Sequence, residues 1–455
     1  MTARRRTTRR RLLQVGAVLG GTVVVGGIGT TAAYLGTRFP AAEPQSGTLV
    51  IRARRILAGA DLTVLDHGSV VIRDGRIVAV DARVEPPAEA EVVELPDATL
   101  LPGLIDMHTH LAAPELDPGE ELGPTGMPGF LWDATRYMPS MRRAMLAHGV
   151  TSVRSLGDEL AWVLDLRDQV ATDVLAGPRI FCAGPVLTTA AGHPISTRGV
   201  AEDSDTVRLP RTAAEAEAIV AELLDGERPV DLIKVIQESG TSDQPLGPHS
   251  PTILRAIAAA AESRGVPVVA HCGTTTDLTQ VVEAGFTGVE HSGLRPPAAR
   301  RGDVAAIGHG WPPGLLDQMA AAEMTLDPTM VVEWQQRAAA SPAGAEARDR
   351  VRLRLQEAHE AGITILAGSD AAMPGVPFGS GLIQEVGELG AVLPVKVALQ
   401  AATSSAARAL GADQIGSIEV GRAADLLAVT GDPLADLSAL REIQLVLRDG
   451  RQPPT

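Results

Sequence analysis

The sequence predicts an α/β protein: a (β/α)8 TIM barrel flanked by a small β-sandwich built from the N- and C-terminal segments. Three observations predict it. Short β-rich runs alternate with Ala/Glu/Arg-rich helical patterns through the middle of the chain, as βα repeats do. Eight such runs occur over roughly 300 residues, which suits a barrel of typically ~250 residues. At both ends, strands with tight turns replace this alternation. An open doubly wound sheet would carry a Gly-rich loop after its first strand. Here that place holds His108-Thr109-His110.

Residues 1–42 read as a targeting segment. They hold seven Arg and no Asp, Glu or Lys. Thr8-Arg9-Arg10-Arg11-Leu12-Leu13-Gln14 resembles a twin-arginine export signal, and Val15 to Leu35 is an uncharged apolar stretch about long enough to span a bilayer. Cleavage near Pro40-Ala41-Ala42 and retention as an anchor are both open. The expected partner is the twin-arginine export machinery, with membrane contact only through residues 15–35 if they are kept. The expected location is exported, in the cell envelope or outside it.

Residues 47–98 form the first part of the sandwich. GTLVIRARRILAG, GSVVIRDGRIVAVD and AEVVELP alternate apolar and polar residues between Gly, Asp and Pro breakers. Arg73-Asp74-Gly75-Arg76 is an Asp-Gly hairpin turn. Residues 413–455 mirror this pattern and supply the second part. Between them, 99–412 is the barrel. Its first strand follows the apolar run Leu100, Leu101, Leu104, Ile105. The others are 150–156, 178–187, 230–236, 266–272, 287–293, 324–330 and 363–370. Helices are expected over 211–225, 251–264 and 345–361, the second capped by Ser250-Pro251. Gly149, Gly265 and Gly362 each close a helix before a strand.

In such a barrel functional groups sit at the C-terminal ends of strands. Those ends carry His108, His110, Lys234, His271, His291 and Asp370. Residues two apart on a strand share a face, so both imidazoles of the His-Thr-His run project together and can grip a cation. Two hydrogen-bonded histidines at a strand end are the plainer alternative. The convergence of six such side chains from five strands favours a metal centre. The basic residues are 38 Arg and two Lys, Lys234 and Lys396. A lysine at a strand end therefore invites a reason specific to amine chemistry. An ion pair with Glu238 is its alternative role.

The motifs PGLIDMHTHL, GVTSVRSLGD, GPRIFCAGPVLTTAAGHP, DLIKVI, VVAHC, GVEHSG and AGITILAGSDA resemble those of the amidohydrolase superfamily. The likeness is to its imidazolonepropionase-like and prolidase-like dipeptidase branch, over about residues 47–450. It implies two divalent metal ions, with His108 and His110 on the first and His271 and His291 on the second. It implies that Lys234, carboxylated by carbon dioxide, bridges them, and that Asp370 binds the first ion and handles protons. An ammonium has only donors, whereas a carbamate is an anionic oxygen ligand. The nitrogen-rich set suits zinc, with manganese, iron or cobalt also compatible.

The implied chemistry is hydrolysis of an amide-type C–N bond by a metal-activated hydroxide, in a dipeptide or N-acyl amino acid. A cyclic-amide hydrolase or deaminase using one metal is the second reading, and a non-catalytic barrel scaffold the third. His193 sits where relatives often carry a histidine that contacts the substrate carbonyl, a loop-capping role being its alternative. Arg154 is a candidate for a substrate carboxylate or, preferably, for a framework acid. The loop 112–136, with Phe130 and Trp132, is a candidate cover for the mouth. Where relatives read proline-histidine-glycine, this chain has Pro377-Phe378-Gly379, and Cys272-Gly273 replaces a second histidine motif.

Composition narrows the partners. The net charge of −15 becomes −22 without residues 1–42, which argues against nucleic acid and anionic membrane surfaces. Cys182 and Cys272 make neither a thiol metal site nor a disulfide framework. The expected partner is a small-molecule substrate, with homo-oligomerisation left open.

Overall fold

A computed structural model describes residues 39–42, 47–82, 84–112, 140–291, 294–332 and 342–454. The targeting segment up to residue 38 and the mouth loop from residue 113 lie outside the described residues. The outer unit is a seven-stranded sheet. It is built from β1 (Thr48–Ala58), β2 (Thr63–Asp66), β3 (Ser69–Arg73), β4 (Arg76–Asp81) and β5 (Glu91–Pro102) near the N-terminus. The C-terminal strands β18 (Leu426–Thr430) and β19 (Ile443–Leu447) complete it, β18 pairing antiparallel with β5. The sheet folds over its own aliphatic core, including Ile51, Ile56, Val70, Ile77, Leu100 and Leu426, in a sandwich-like arrangement. The Asp74-Gly75 turn joins β3 to β4 with both residues at positive φ, 51° and 73°, as a two-residue hairpin needs.

The barrel begins with β6 (Leu104–Thr109). The apolar run before the histidines is therefore two strands rather than one. Thr99–Pro102 belongs to β5 of the outer sheet, and β6 starts after Gly103. A Cβ on Gly103 would lie 2.3 Å from Thr151 Oγ1, so only glycine lets the chain cross from one sheet to the other here. Next come β7 (Val150–Ser155) and β8 (Arg179–Cys182). The run 178–187 also divides, because Gly184 takes φ +65° and Pro185 has no N–H to donate. Its second half is β9 (Val186–Leu187), paired with β10 (Val207–Arg208) on one side and β11 (Ile233–Gln237) on the other. Neither β10 nor the small β12–β13 hairpin (Gly240–Thr241 and Gln244–Pro245) is marked by the alternation that predicts strands elsewhere.

Parallel pairing continues through β14 (Val268–Cys272), β15 (Gly288–Glu290), β16 (Thr325–Asp327) and β17 (Thr364–Ile365). The ring closes where Met107 N donates to Ala367 O (3.0 Å) and Asp370 N donates to His108 O (2.8 Å). Helices cover the outside. The one over Pro251–Glu262 is capped by Ser250 Oγ, which accepts from Ile253 N, and buries Leu254, Ile257 and Ala261 against the barrel.

Glu385, on the helix Ser380–Gly390, is fully buried and accepts from Met330 N and Val331 N, both at 2.8 Å, just beyond β16. Burial raises its carboxyl to about 8, outweighing those two donors, with Glu388 and Asp106 adding repulsion. The folded state therefore holds this proton over a range where the unfolded chain has lost it. Stability from this group is complete below the unfolded carboxylate pKa and falls as pH rises toward 8. Between pH 5 and 8 the slope is expected to reach roughly 1 kcal/mol per pH unit. Thermal melts of Glu385→Gln across that range should be flatter than those of the unaltered protein, and parallel curves would contradict the assignment.

Candidate metal centre and cavity

His108 is buried on β6. Its Nδ1 lies 2.8 Å from Glu290 Oε2. That contact fixes the ring and turns Nε2 inward, 3.6 Å from Asp370 Oδ1. His110 presents Nε2 to the same oxygen at 3.2 Å, with the two rings 5.4 Å apart. His291, after β15, has Nδ1 2.7 Å from Thr329 Oγ1, again leaving Nε2 for the cavity. Its ring is 4.9 Å from His108 and 4.6 Å from His271. His271, near the end of β14, stacks on His193 at 5.5 Å. Lys234 enters the same cluster from β11.

His108, His291 and Asp370 offer ligand atoms all within 4.8 Å of one another. Among the described residues, two buried atoms there lack a hydrogen-bond partner: Lys234 Nζ and Asp370 Oδ1. Orphaned buried polar atoms are costly. A divalent cation would satisfy the carboxylate oxygen and the inward imidazole nitrogens, and a carboxylated Lys234 would turn an orphan donor into a ligand. The donor set fits a metal centre. Burial lowers the Lys234 amine from its ordinary value and takes His108 to about 4, with Lys234 adding repulsion. Both groups are thereby biased to the neutral form that ligation or carbamate formation requires. Lys234 does not pair with Glu238, which lies beside His271 Nε2 at 3.4 Å.

Backbone conformation helps aim the site. His291 and Asp370 have φ of 70° and 60°, a left-handed region that ordinary side chains avoid. Asp106 ties the two sides together, accepting from His108 N (3.2 Å), Ser369 N (2.9 Å) and Ser369 Oγ (2.6 Å).

Arg154 lies behind the centre. Nη2 donates to Glu290 Oε1 at 2.7 Å and faces Asp327 Oδ2 at 3.4 Å, while Nε donates to Met107 O at 2.5 Å. It serves the framework and does not line the cavity. The close group His108, Glu290 and Asp327 is consequently a buried ion-pair network with its cation already supplied by Arg154. Burial would raise the Glu290 carboxyl, but Arg154, Lys234 and His108 hold it down at about 2.

The cluster floors a cavity of about 590 Å³. His193, Glu238, Gly273, Arg198, Arg295 and Met373 are among its walls. Phe378, at the departure from the relatives' histidine, is buried in the core and does not line it. His249 is structural: its backbone N–H and C=O bracket the Gln237 amide. Glu290, Asp327 and Thr329 were not picked out from the sequence. A buried acid inside a strand-like run was the available signal for the first two, since such residues need partners.

The amidohydrolase family model matches residues 99–452. The chain belongs to the amidohydrolase family. A dihydroorotase of Anaeromyxobacter dehalogenans (strain 2CP-C) is 28% identical over 271 residues, covering 53% of this chain. The chain spans 58% of that relative's length. An imidazolonepropionase of Geobacillus kaustophilus (strain HTA426) is 46% identical over 59 residues, 11% of this chain and 14% of that one. Among solved structures, a Xaa-Pro dipeptidase with methionine in its active site superposes with TM-score 0.71 at 25% identity, over 89% of this chain and 99% of that one.

Proposed function

We propose that this amidohydrolase cleaves an amide-type C–N bond in a dipeptide or N-acyl amino acid. The carrying observation is the meeting of His108, His110, Lys234, His271, His291 and Asp370 on one floor of the cavity. The fold shared with a dipeptidase over nearly that enzyme's whole length supports the substrate class. His108, His110, His271, His291, Asp370 and carboxylated Lys234 would hold two divalent ions, zinc being suited to the donors. When bound, such ions supply an acidified water and a Lewis acid facing the scissile carbonyl. Asp370 accepts the attacking water's proton and passes it to the departing nitrogen. His193, on the adjoining wall, would contact the carbonyl oxygen. Arg198 and Arg295, also on the walls, offer charge for a substrate carboxylate.

A second reading is supported by the dihydroorotase and imidazolonepropionase matches: a cyclic amide opened with a single ion, Lys234 remaining an amine. Metal analysis of the purified protein, followed by a screen of dipeptides, N-acyl amino acids, cyclic amides and lactones, separates the two. Two ions per chain and chelator-sensitive release of an amino acid are expected. One ion with cyclic-amide turnover would favour the second reading. Full activity in rigorously metal-free protein would overturn both.

We also infer export through the twin-arginine route. No helix among the described residues is long and apolar enough to cross a membrane. Phe39 is buried with Leu146 and Ala176 and lies against the Arg142 and Arg143 guanidiniums at 5.6 and 4.7 Å. A cut after Ala42 would strip away this packed residue, which supports retention of Phe39; the mass of the secreted protein reads the outcome.

A further inference from the structure

We propose that Glu238 binds the free ammonium of the substrate's amino-terminal residue, so that the site prefers dipeptides to N-acyl amino acids. The inference rests on the amide-hydrolase reading above and chooses between its two substrate classes.

Among the described residues three carboxylates line the cavity: Asp158, Asp370 and Glu238. Asp158 is spent on the backbone, accepting from Leu111 N (3.1 Å) and Ala112 N (2.9 Å), and on the Ser155 hydroxyl. Asp370 faces His108 and His110. Glu238 remains, four residues beyond Lys234, with its carboxylate beside His271 Nε2 at 3.4 Å. Space for it is built in. A Cβ on Gly273 would lie 2.4 Å from Glu238 Cγ, so any other residue there would push the acid aside. The amide of the preceding Gln237 is turned away, exchanging hydrogen bonds with the backbone of His249.

Position and charge point to an amine. In a dipeptide the α-nitrogen lies only about 2.5 Å from the carbonyl carbon, through Cα. Its recognition group must therefore sit at the edge of the catalytic floor, and His271, which Glu238 touches, is part of that floor. Arg295, on the same wall, repels a cation unless an anion offsets it. An N-acyl group brings no charge and would leave Glu238 unpaired by substrate. A carboxylate–ammonium hydrogen bond in such a place changes affinity on the order of tenfold to a hundredfold.

The test uses the full-length, metal-loaded protein and matched ligands differing only in the amine: L-alaninamide against propanamide for binding, and alanyl dipeptides against their propanoyl counterparts for turnover. The unaltered protein is expected to favour the amine at least tenfold in both assays. Glu238→Gln should abolish that preference through KM with bound metal unchanged, and Glu238→Asp should keep part of it. Equal handling of the paired ligands by the unaltered protein would overturn the proposal. So would an equal loss on both ligands in Glu238→Gln, which marks a residue that only positions His271, or a loss of metal, which marks a ligand. Amine-selective binding without dipeptide hydrolysis would sink the functional reading and leave the Glu238 assignment standing.

Discussion

Asp370→Asn is expected to lower amide hydrolysis on the order of a thousandfold while the protein stays folded and keeps most of its metal. The magnitude is that of a positioned acid–base group. Asp370 is the carboxylate toward which His108 and His110 both aim Nε2, at 3.6 and 3.2 Å, and its Oδ1 has no other partner among the described residues. Asn preserves the shape and the backbone bond from Asp370 N to His108 O, so the left-handed turn at this residue is not disturbed. It removes the ability to take up a proton. The imidazoles and Lys234 remain as ligands, so metal content should fall much less than rate. The loss should appear in kcat more than in KM, because the group acts on the reacting atoms rather than on substrate binding. A kcat within tenfold of the unaltered enzyme, with metal intact, would mean that another base carries the proton.

Asp370 was also easy to find in the sequence, for a physical reason. Alternation along a strand and the location of function at strand ends are local rules, and AGITILAGSD states both in ten letters. The same holds for His108, His110, His271 and His291, whereas Lys234, read as a strand-end residue, is the second residue of β11. What local rules do not carry is the choice of partner across the barrel. Glu238, four positions along from Lys234, reads as its neighbour, yet beyond β11 the chain leaves the strand and Glu238 meets His271 instead. Glu290 is adjacent to His291 in sequence but serves His108 and Arg154 across the barrel. Arg154 could have faced substrate or framework; only the placement of Glu290 and Asp327 around it decides. Backbone conformation escaped as well. Nothing in Glu290-His291 announces a positive φ, since the packing around it, not its own preference, imposes that state. The apolar letters of 178–187 continue past Gly184-Pro185, where the chain changes neighbours, so they read as one strand although they form two.

Lys234→Met is expected to have an effect on activity as large as that of Asp370→Asn, by a different route and with an opposite signature. Met matches the length of the lysine stem and leaves no polar atom to satisfy. Lys234 is 2% exposed, its amine has no hydrogen-bond partner among the described residues, and burial lowers its affinity for a proton. Removing such a group costs little, because a buried polar atom without partners opposes folding. The metal-free variant should therefore melt no lower than the unaltered metal-free protein. Metal-loaded, the order should reverse. If Lys234 supplies a carbamate oxygen to both ions, the variant loses a shared ligand, binds fewer ions per chain and forfeits the stabilisation that ligand binding confers on the folded state. Labelled bicarbonate gives a readout independent of catalysis, since a protein-bound carbon-13 carbonyl signal should be present in the unaltered protein and absent from Lys234→Met. A variant that kept two ions and normal turnover would remove the bridging role. One that lost stability in the metal-free state would show that the amine is paired there, contrary to its buried and partnerless setting. Functional sites commonly trade stability for activity. Here that trade would be localised to one nitrogen, unfavourable in the metal-free barrel and needed once the ions are bound.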